Sequence, residues 1–136
     1  MAIDERYQIL FEPVKIGPVV APNRFYQVPH CNGMGYRDVT SMAALRAIKA
    51  EGGWGGVCTE YNSIHPSLED LTHVSASLWD DSDIRAHALM TEKVHAHGAL
   101  AGTELWYGGA RTGNMMAREV AMDMFSMPNT AGHLFQ

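Results

Sequence analysis

The chain has 136 residues, 46% of them apolar and 18% charged, a globular composition of ordinary domain size that argues against a disordered tail or linker. A net charge of −5 and a pI near 5.7 leave no basic surface for phosphate backbones, which argues against nucleic acid as a partner. No apolar run approaches the roughly 20 residues a membrane span needs and the N-terminus lacks a signal pattern, so a cytoplasmic protein without a membrane partner is expected. Two cysteines, Cys31 and Cys58, with no Cys-x-x-Cys pair, point to reduced thiols and give no support for a metal site.

Tyr7 to Val20 alternates loosely and contains Glu12-Pro13 and Gly17-Pro18, so a small hairpin over residues 7–20 is predicted ahead of the first core strand. Arg24 to Val28 reads as a short buried strand stopped by Pro29, which lacks a backbone N–H and holds its predecessor extended. From Thr40 to Ala50 the apolar Met42, Leu45 and Ile48 recur at helical spacing, with Thr40 or Ser41 as N-cap and Gly52-Gly53 as the stop. Gly56 to Thr59 is a brief apolar run bounded by glycine, as in a strand buried on both faces. Asn62 to Trp79 is polar, aperiodic and long for a loop between a strand and a helix, which marks it as a functional loop. Asp80 to His97 is the clearest helix, with an acidic first turn, Ile84, Leu89 and Val94 along one side, and basic or histidine residues late. Ala99 to Trp106 is a third strand, and beyond Gly109 the chain is rich in Met, Gly, Asn and Pro with no sustained period.

Strand, helix, strand, helix, strand is the order of βαβ units on a parallel sheet. Three such strands leave open edges and an uncovered face, whereas a closed barrel of this type takes about 250 residues. The fold class is therefore α/β; that residues 1–136 are a fragment, the N-terminal portion of a (β/α)8 TIM barrel, is what the family resemblance described below implies. The leading hairpin would occupy 7–20 and the first three β/α units 24–136.

A strand that ends in Pro29-His30-Cys31 and opens into Asn32-Gly33-Met34-Gly35 puts a thiol at its carboxyl end, where α/β barrels carry their ligands. By pattern alone Cys31 is either reactive or an inert buried cysteine. Gly33, Gly35, Gly108 and Gly109 admit close backbone approach, but no Gly-x-Gly-x-x-Gly phosphate fingerprint is present.

The run Arg24-Phe25-Tyr26-Gln27-Val28-Pro29-His30-Cys31-Asn32-Gly33 resembles the first barrel strand of the trimethylamine dehydrogenase branch of the old yellow enzyme family. Phe11-Glu12-Pro13, Lys49 to Trp54, Thr59-Glu60-Tyr61 and Gly98 to Gly109 resemble that branch in order and at its spacing. The resemblance implies an FMN-dependent oxidoreductase, with Cys31 at the place of a cysteine joined through sulfur to the flavin. It further implies that Val28, Pro29 and His30 run along the flavin, that Glu60 and Glu104 neighbour it, and that Tyr61 forms one wall of an aromatic bowl around a substituted ammonium. The wider family carries Gln-Leu-x-His-x-Gly-Arg on its third strand, and this chain reads Glu104-Leu105-Trp106-Tyr107-Gly108-Gly109-Ala110. Glu104 is accordingly read as a buried carboxylate in contact with FMN.

The implied activity is oxidative N-demethylation of a methylated amine, with a small-molecule amine as partner and a homo-oligomer expected of the full-length enzyme. A 4Fe-4S cluster and a nucleotide-binding region are expected only in parts of such an enzyme that these residues do not include. The rival enzyme is an NAD(P)H-dependent ene-reductase, disfavoured by the loss of His and Arg from the third-strand motif. The rival outside enzymes is a truncated, non-catalytic fragment.

Overall fold

The computed structural model describes residues 3–66, 76–109 and 123–124. Glu5–Phe11 forms a 3₁₀ helix, with Asp4 as its N-cap. Val14–Ile16 (β1) and Val19–Ala21 (β2) then pair antiparallel around Gly17, whose φ of 56° suits the turn. The predicted hairpin is thus confined to its second half. Residues 7–11 curl into the 3₁₀ helix, placing Phe11 edge-on to Phe25 at 5.1 Å, and Phe25 in turn meets Trp54 at 6.3 Å.

The remaining strands are parallel. Tyr26–Gln27 (β3) pairs with the start of Gly56–Ser63 (β4), Ala76–Ser77 (β5) pairs with the end of β4, and Leu100–Trp106 (β6) runs along the whole of β4. Gly56 is matched with both Tyr26 and Leu100, and Asn62 with both Ala76 and Leu105. The central strand β4 therefore carries β6 on one edge and β3 followed by β5 on the other. The short strand β5 is an addition to the predicted set. It lies at the end of the segment expected to be a loop, whose residues 67–75 fall outside those described.

Among the described residues three α-helices accompany the sheet: Met34–Arg37 (α1), Val39–Glu51 (α2) and Asp81–His95 (α3). Helix α2 is capped by Asp38 rather than Thr40 or Ser41, because the Asp38 carboxylate accepts from the Ser41 N–H at 2.9 Å and the Ser41 hydroxyl at 2.6 Å. Helix α3 begins on Asp80, with Asp83 completing a reciprocal capping box. Met42, Ala43 and Ala50 of α2, Met90 and Val94 of α3, Val57 of β4, and Ala99 form one buried cluster between the helices and the sheet. Met42 and Val94 of the predicted helix stripes lie in this cluster and Leu89 packs against it, whereas Ile48 is 62% exposed and Ile84 55% exposed. The two helices thus bring Met42, Met90 and Val94 together with small alanines into the core.

The Met-rich segment beyond Gly109 lies outside the described residues, apart from 123–124. Among the described residues no helix is long and apolar enough to cross a membrane.

Candidate functional site

Side chains alternate across a strand, so Val57, which packs on the helices, and Cys58 face opposite sides of the sheet. Cys58 lies on the face without helices, 2.9 Å from the Tyr26 hydroxyl, and a Cβ on Gly102 would come within 2.7 Å of its sulfur. The register from Cys58↔Gly102 to Tyr61↔Glu104 advances three residues on β4 against two on β6, a β-bulge. The extra residue reverses the alternation, so Tyr61 shares the open face with Cys58 and Glu104, while Glu60 is turned aside.

The consequence for Glu60 is specific. Its carboxylate has no solvent exposure and accepts three main-chain hydrogen bonds from the turn after β3. Asn32 N–H and Gly33 N–H each reach Oε2 at 3.0 Å, and Gly35 N–H reaches Oε1 at 2.9 Å. A buried carboxylate is tolerated where charge-assisted bonds of this kind replace its hydration. Gly33 sits at φ 73°, and a Cβ on Gly35 would lie 2.4 Å from Oε1, so the turn needs glycine at both places.

Arg46 approaches the same turn from α2. It is also fully buried, and it donates to Gln27 Oε1 at 3.0 Å and to the His30 carbonyl at 2.6 Å. Sequence reading missed Arg46, which looks like a solvated helix charge. Its only signal is its position four residues after Met42 and four before Ala50, on the buried stripe.

Cys31 is half-buried within this turn, against the Gly33 N–H and the Glu60 and Tyr61 side chains. Burial pushes its thiol above the ordinary range; the Gly33 N–H opposes this, the Glu60 charge and hydrogen bond add to it, and the Tyr61 hydrogen bond opposes it. Tyr61 in turn packs on Trp106, with ring centroids 5.3 Å apart and planes tilted by 46°. Trp106 follows Glu104 by two residues on the same face of β6, and it too was absent from the predicted set.

The predicted residues therefore divide. Cys31, Tyr61 and Glu104 lie at the carboxyl ends of β3, β4 and β6, on one rim of the open face. Glu104 is exposed there, where burial was expected. Val28 and His30 are exposed and Pro29 is half-buried. The Val28 carbonyl accepts from the Gln27 amide and the His30 carbonyl from Arg46, which leaves this main chain fixed. Glu60 reaches the rim through the turn that it holds. A cavity of about 410 Å³ lies elsewhere, at the opposite end of the strands, between Val14, Ile16, Phe25 and Leu100.

The donor set fits a flat heteroaromatic cofactor with ring N–H groups. It offers a thiol, an exposed carboxylate able to accept an N–H, glycine backbone without side-chain bulk, and two aromatic faces. Among the described residues no group of three metal-ligating side chains comes together.

Comparison with known proteins places these features in context. Residues 9–134 match the sequence pattern of the NADH:flavin oxidoreductase / NADH oxidase family. The chain is 49% identical over 121 residues to a dimethylamine dehydrogenase of Hyphomicrobium sp. (strain x), a match that covers 89% of this chain and 16% of the relative. Among solved structures, histamine dehydrogenase from Rhizobium sp. 4-9 is 47% identical with a TM-score of 0.87, covering 93% of this chain and 20% of that one. The 6-hydroxypseudooxynicotine amine oxidase of Pseudomonas geniculata N1 is 41% identical with a TM-score of 0.83, at the same coverage. The chain thus spans about a fifth or less of the length of these relatives.

Proposed function

The chain belongs to the NADH:flavin oxidoreductase / NADH oxidase family, in its trimethylamine dehydrogenase-like branch, and from that premise we propose that it forms the opening arc of the FMN site of an amine dehydrogenase. The observation that carries the proposal is the meeting of the Cys31 thiol with the Tyr61 side chain, on the rim that Glu104 and Trp106 share. FMN, when bound, supplies the acceptor for the hydrogen equivalents of a methylated amine.

The chain's own residues do the rest. Cys31 holds the flavin, by contact or through a thioether. The fixed main chain of Val28, Pro29 and His30 lies along it, and Glu104 accepts from a ring N–H. Tyr61 and Trp106 offer π faces to a substituted ammonium, each ring worth about 0.5 to 2 kcal/mol depending on exposure. The same pair covers the rim against water, which favours the placing of a substrate carbon over bulk hydrolysis. Oxidative N-demethylation of a small methylated amine is the reaction this combination of a cation cage and a thiol-held flavin suits best.

The test uses the chain and a chimera in which residues 9–134 replace the matching segment of the Hyphomicrobium dimethylamine dehydrogenase. Acid precipitation of the chimera should leave yellow colour with the polypeptide, and Cys31→Ala should release it to the supernatant. Dimethylamine and trimethylamine should reduce the flavin, NADPH should not, and an activated alkene should not be reduced. A chimera that binds no FMN, or that reduces alkenes and ignores amines, defeats the proposal.

A further inference from the structure

Two peptide planes meet at the Cα of Cys31, and each is held by a buried ion of opposite sign. The His30–Cys31 plane is anchored through its carbonyl, which accepts from Arg46 Nη2 at 2.6 Å. The Cys31–Asn32 plane is anchored through its N–H, which donates to Glu60 Oε2 at 3.0 Å. With both planes fixed, φ and ψ of Cys31 are fixed, and with them the direction of its Cα–Cβ bond. Gly33 and Gly35, donating to the same carboxylate, extend the clamp along the turn.

Neither ion is required for this by the packing alone. Arg46 and Glu60 have no solvent exposure, in a chain that has exposed surface for both, and burying them is costly unless their bonds are needed. Most of those bonds end on the main chain of residues 30–35; besides them Glu60 meets the Cys31 thiol, and Arg46 donates to Gln27, which secures the end of β3 leading into that turn. We propose that Glu60 and Arg46 are positioning residues, a paired clamp that sets the backbone of Cys31 and thereby aims its sulfur along the rim toward Tyr61. For its consequence in flavin attachment the inference rests on the reading above; its geometry does not.

The charged groups facing Cys31 are Glu60 from β4 and the guanidinium of Arg46 from α2, and the Tyr61 hydroxyl of β4 meets it as a hydrogen-bond partner. Alkylation of Cys31 by iodoacetamide, followed against pH and assigned by peptide mass spectrometry, reads both the aim and the field at the sulfur. Cys58, buried behind Tyr26, is the internal reference. The measurement is made on the chain and on the chimera prepared free of flavin, where the sulfur is a thiol, and the chimera decides where the two differ.

Glu60→Gln should lower the midpoint of the Cys31 profile by about one pH unit and raise its rate near neutrality about tenfold, since an anion is lost and the turn is released. Glu60→Asp, which keeps the charge and cannot span the three N–H groups, should raise the rate without lowering the midpoint. Arg46→Met should also raise the rate without lowering the midpoint, and Arg46→Lys should stay nearer the parent. An unchanged Cys31 profile in both Glu60 variants overturns the clamp. So does Cys58 reactivity rising in step with Cys31, because the two ions would then merely hold the fold. The flavin reading fails separately, if the parent chimera binds no FMN. If the parent retains flavin while the Glu60 variants leave Cys31 unmoved, the clamp fails and the flavin reading stands.

Discussion

The Tyr26 hydroxyl and the Cys58 sulfur lie 2.9 Å apart on the open face of the sheet, joining the first parallel strand to the second through their side chains. The hydrogen bond to Cys58, then burial, then the Cys58 charge and that of Glu104 push the Tyr26 phenol from 10.0 up to about 12. A phenol whose folded value is raised contributes stability that is complete below the unfolded value and is lost as pH rises through the folded one. Unfolding midpoints should therefore fall between pH 10 and about 12 for the parent. Tyr26→Phe should remove this component of the decline and lose, near neutrality, the stability that the hydrogen bond to Cys58 contributes. Denaturant titrations of both proteins across that interval check it, and equal slopes would show that another group is responsible.

Gly35→Ala and Gly102→Ala test the two close approaches that define the site. At Gly35 the new methyl would lie 2.4 Å from Glu60 Oε1 and 2.6 Å from the Ala76 Cβ, both in buried surroundings. Overpacking of this kind costs about 1 to 3 kcal/mol, and here it must also displace the turn from its carboxylate. At Gly102 the methyl would meet the Cys58 sulfur at 2.7 Å, a single neighbour that has another partner in Tyr26. Gly35→Ala should be the more destabilising of the two, and it alone should accelerate Cys31 alkylation. A reversal of that order would mean that the turn is softer than its hydrogen bonds imply.

How far the sequence carried depended on whether a feature obeys a local rule. The acidic first turn of α3 and the end of β3 ahead of Pro29 are local features that pattern reached, although β3 is only Tyr26–Gln27, and Tyr26 and Val28 are exposed where a buried strand over Arg24 to Val28 was expected. The bulge between Cys58 and Tyr61 is not local: nothing in Thr59-Glu60 announces an extra residue, since it arises from register with β6. Strict alternation would set Glu60 on the face of Cys58 and Tyr61 opposite, and the bulge exchanges them. Arg46 was invisible because a charged residue on a surface helix is ordinarily solvated, and only the His30 carbonyl and Gln27 amide oxygen across from it reverse that expectation. Asp38 was passed over as a cap because Thr40 and Ser41 fit the pattern equally well, and the Ser41 hydroxyl is itself a donor to Asp38.

The helix starts give a prediction at the acid end of the scale. Ser82, through its hydroxyl and then its N–H, holds the Asp80 carboxyl below its ordinary 3.8, and Ser41 does the same for Asp38. A depressed carboxyl contributes stability that is present above the unfolded value and is lost as pH falls through the folded one. Thermal unfolding should show Tm dropping as pH is taken below 3.8, with Asp80→Ala and Asp38→Ala each lower near neutrality and each less sensitive to acid. Asp80→Asn, which keeps an acceptor without the titration, should retain more of the neutral Tm than Asp80→Ala does. Parallel acid profiles for parent and both alanine variants would exclude the caps as the titrating element.

Tyr61 and Trp106 separate the two tasks assigned to the rim, because the ring of Tyr61 faces Trp106 while its hydroxyl reaches the Cys31 thiol. Tyr61→Phe keeps the ring and should leave the affinity of the chimera for a trimethylated ammonium nearly unchanged. It removes the hydrogen bond that lowers the thiol, so the Cys31 alkylation midpoint should move up. Trp106→Ala removes a face from the cage and should weaken the same cation about 2- to 30-fold, the range that 0.5 to 2 kcal/mol of cation–π attraction converts to. The neutral isostere with carbon in place of nitrogen is the control, for it retains shape and loses charge. If Trp106→Ala weakens cation and isostere alike, the pair contributes only apolar surface, and the selection of a charged amine must come from Glu104 or from residues outside this chain.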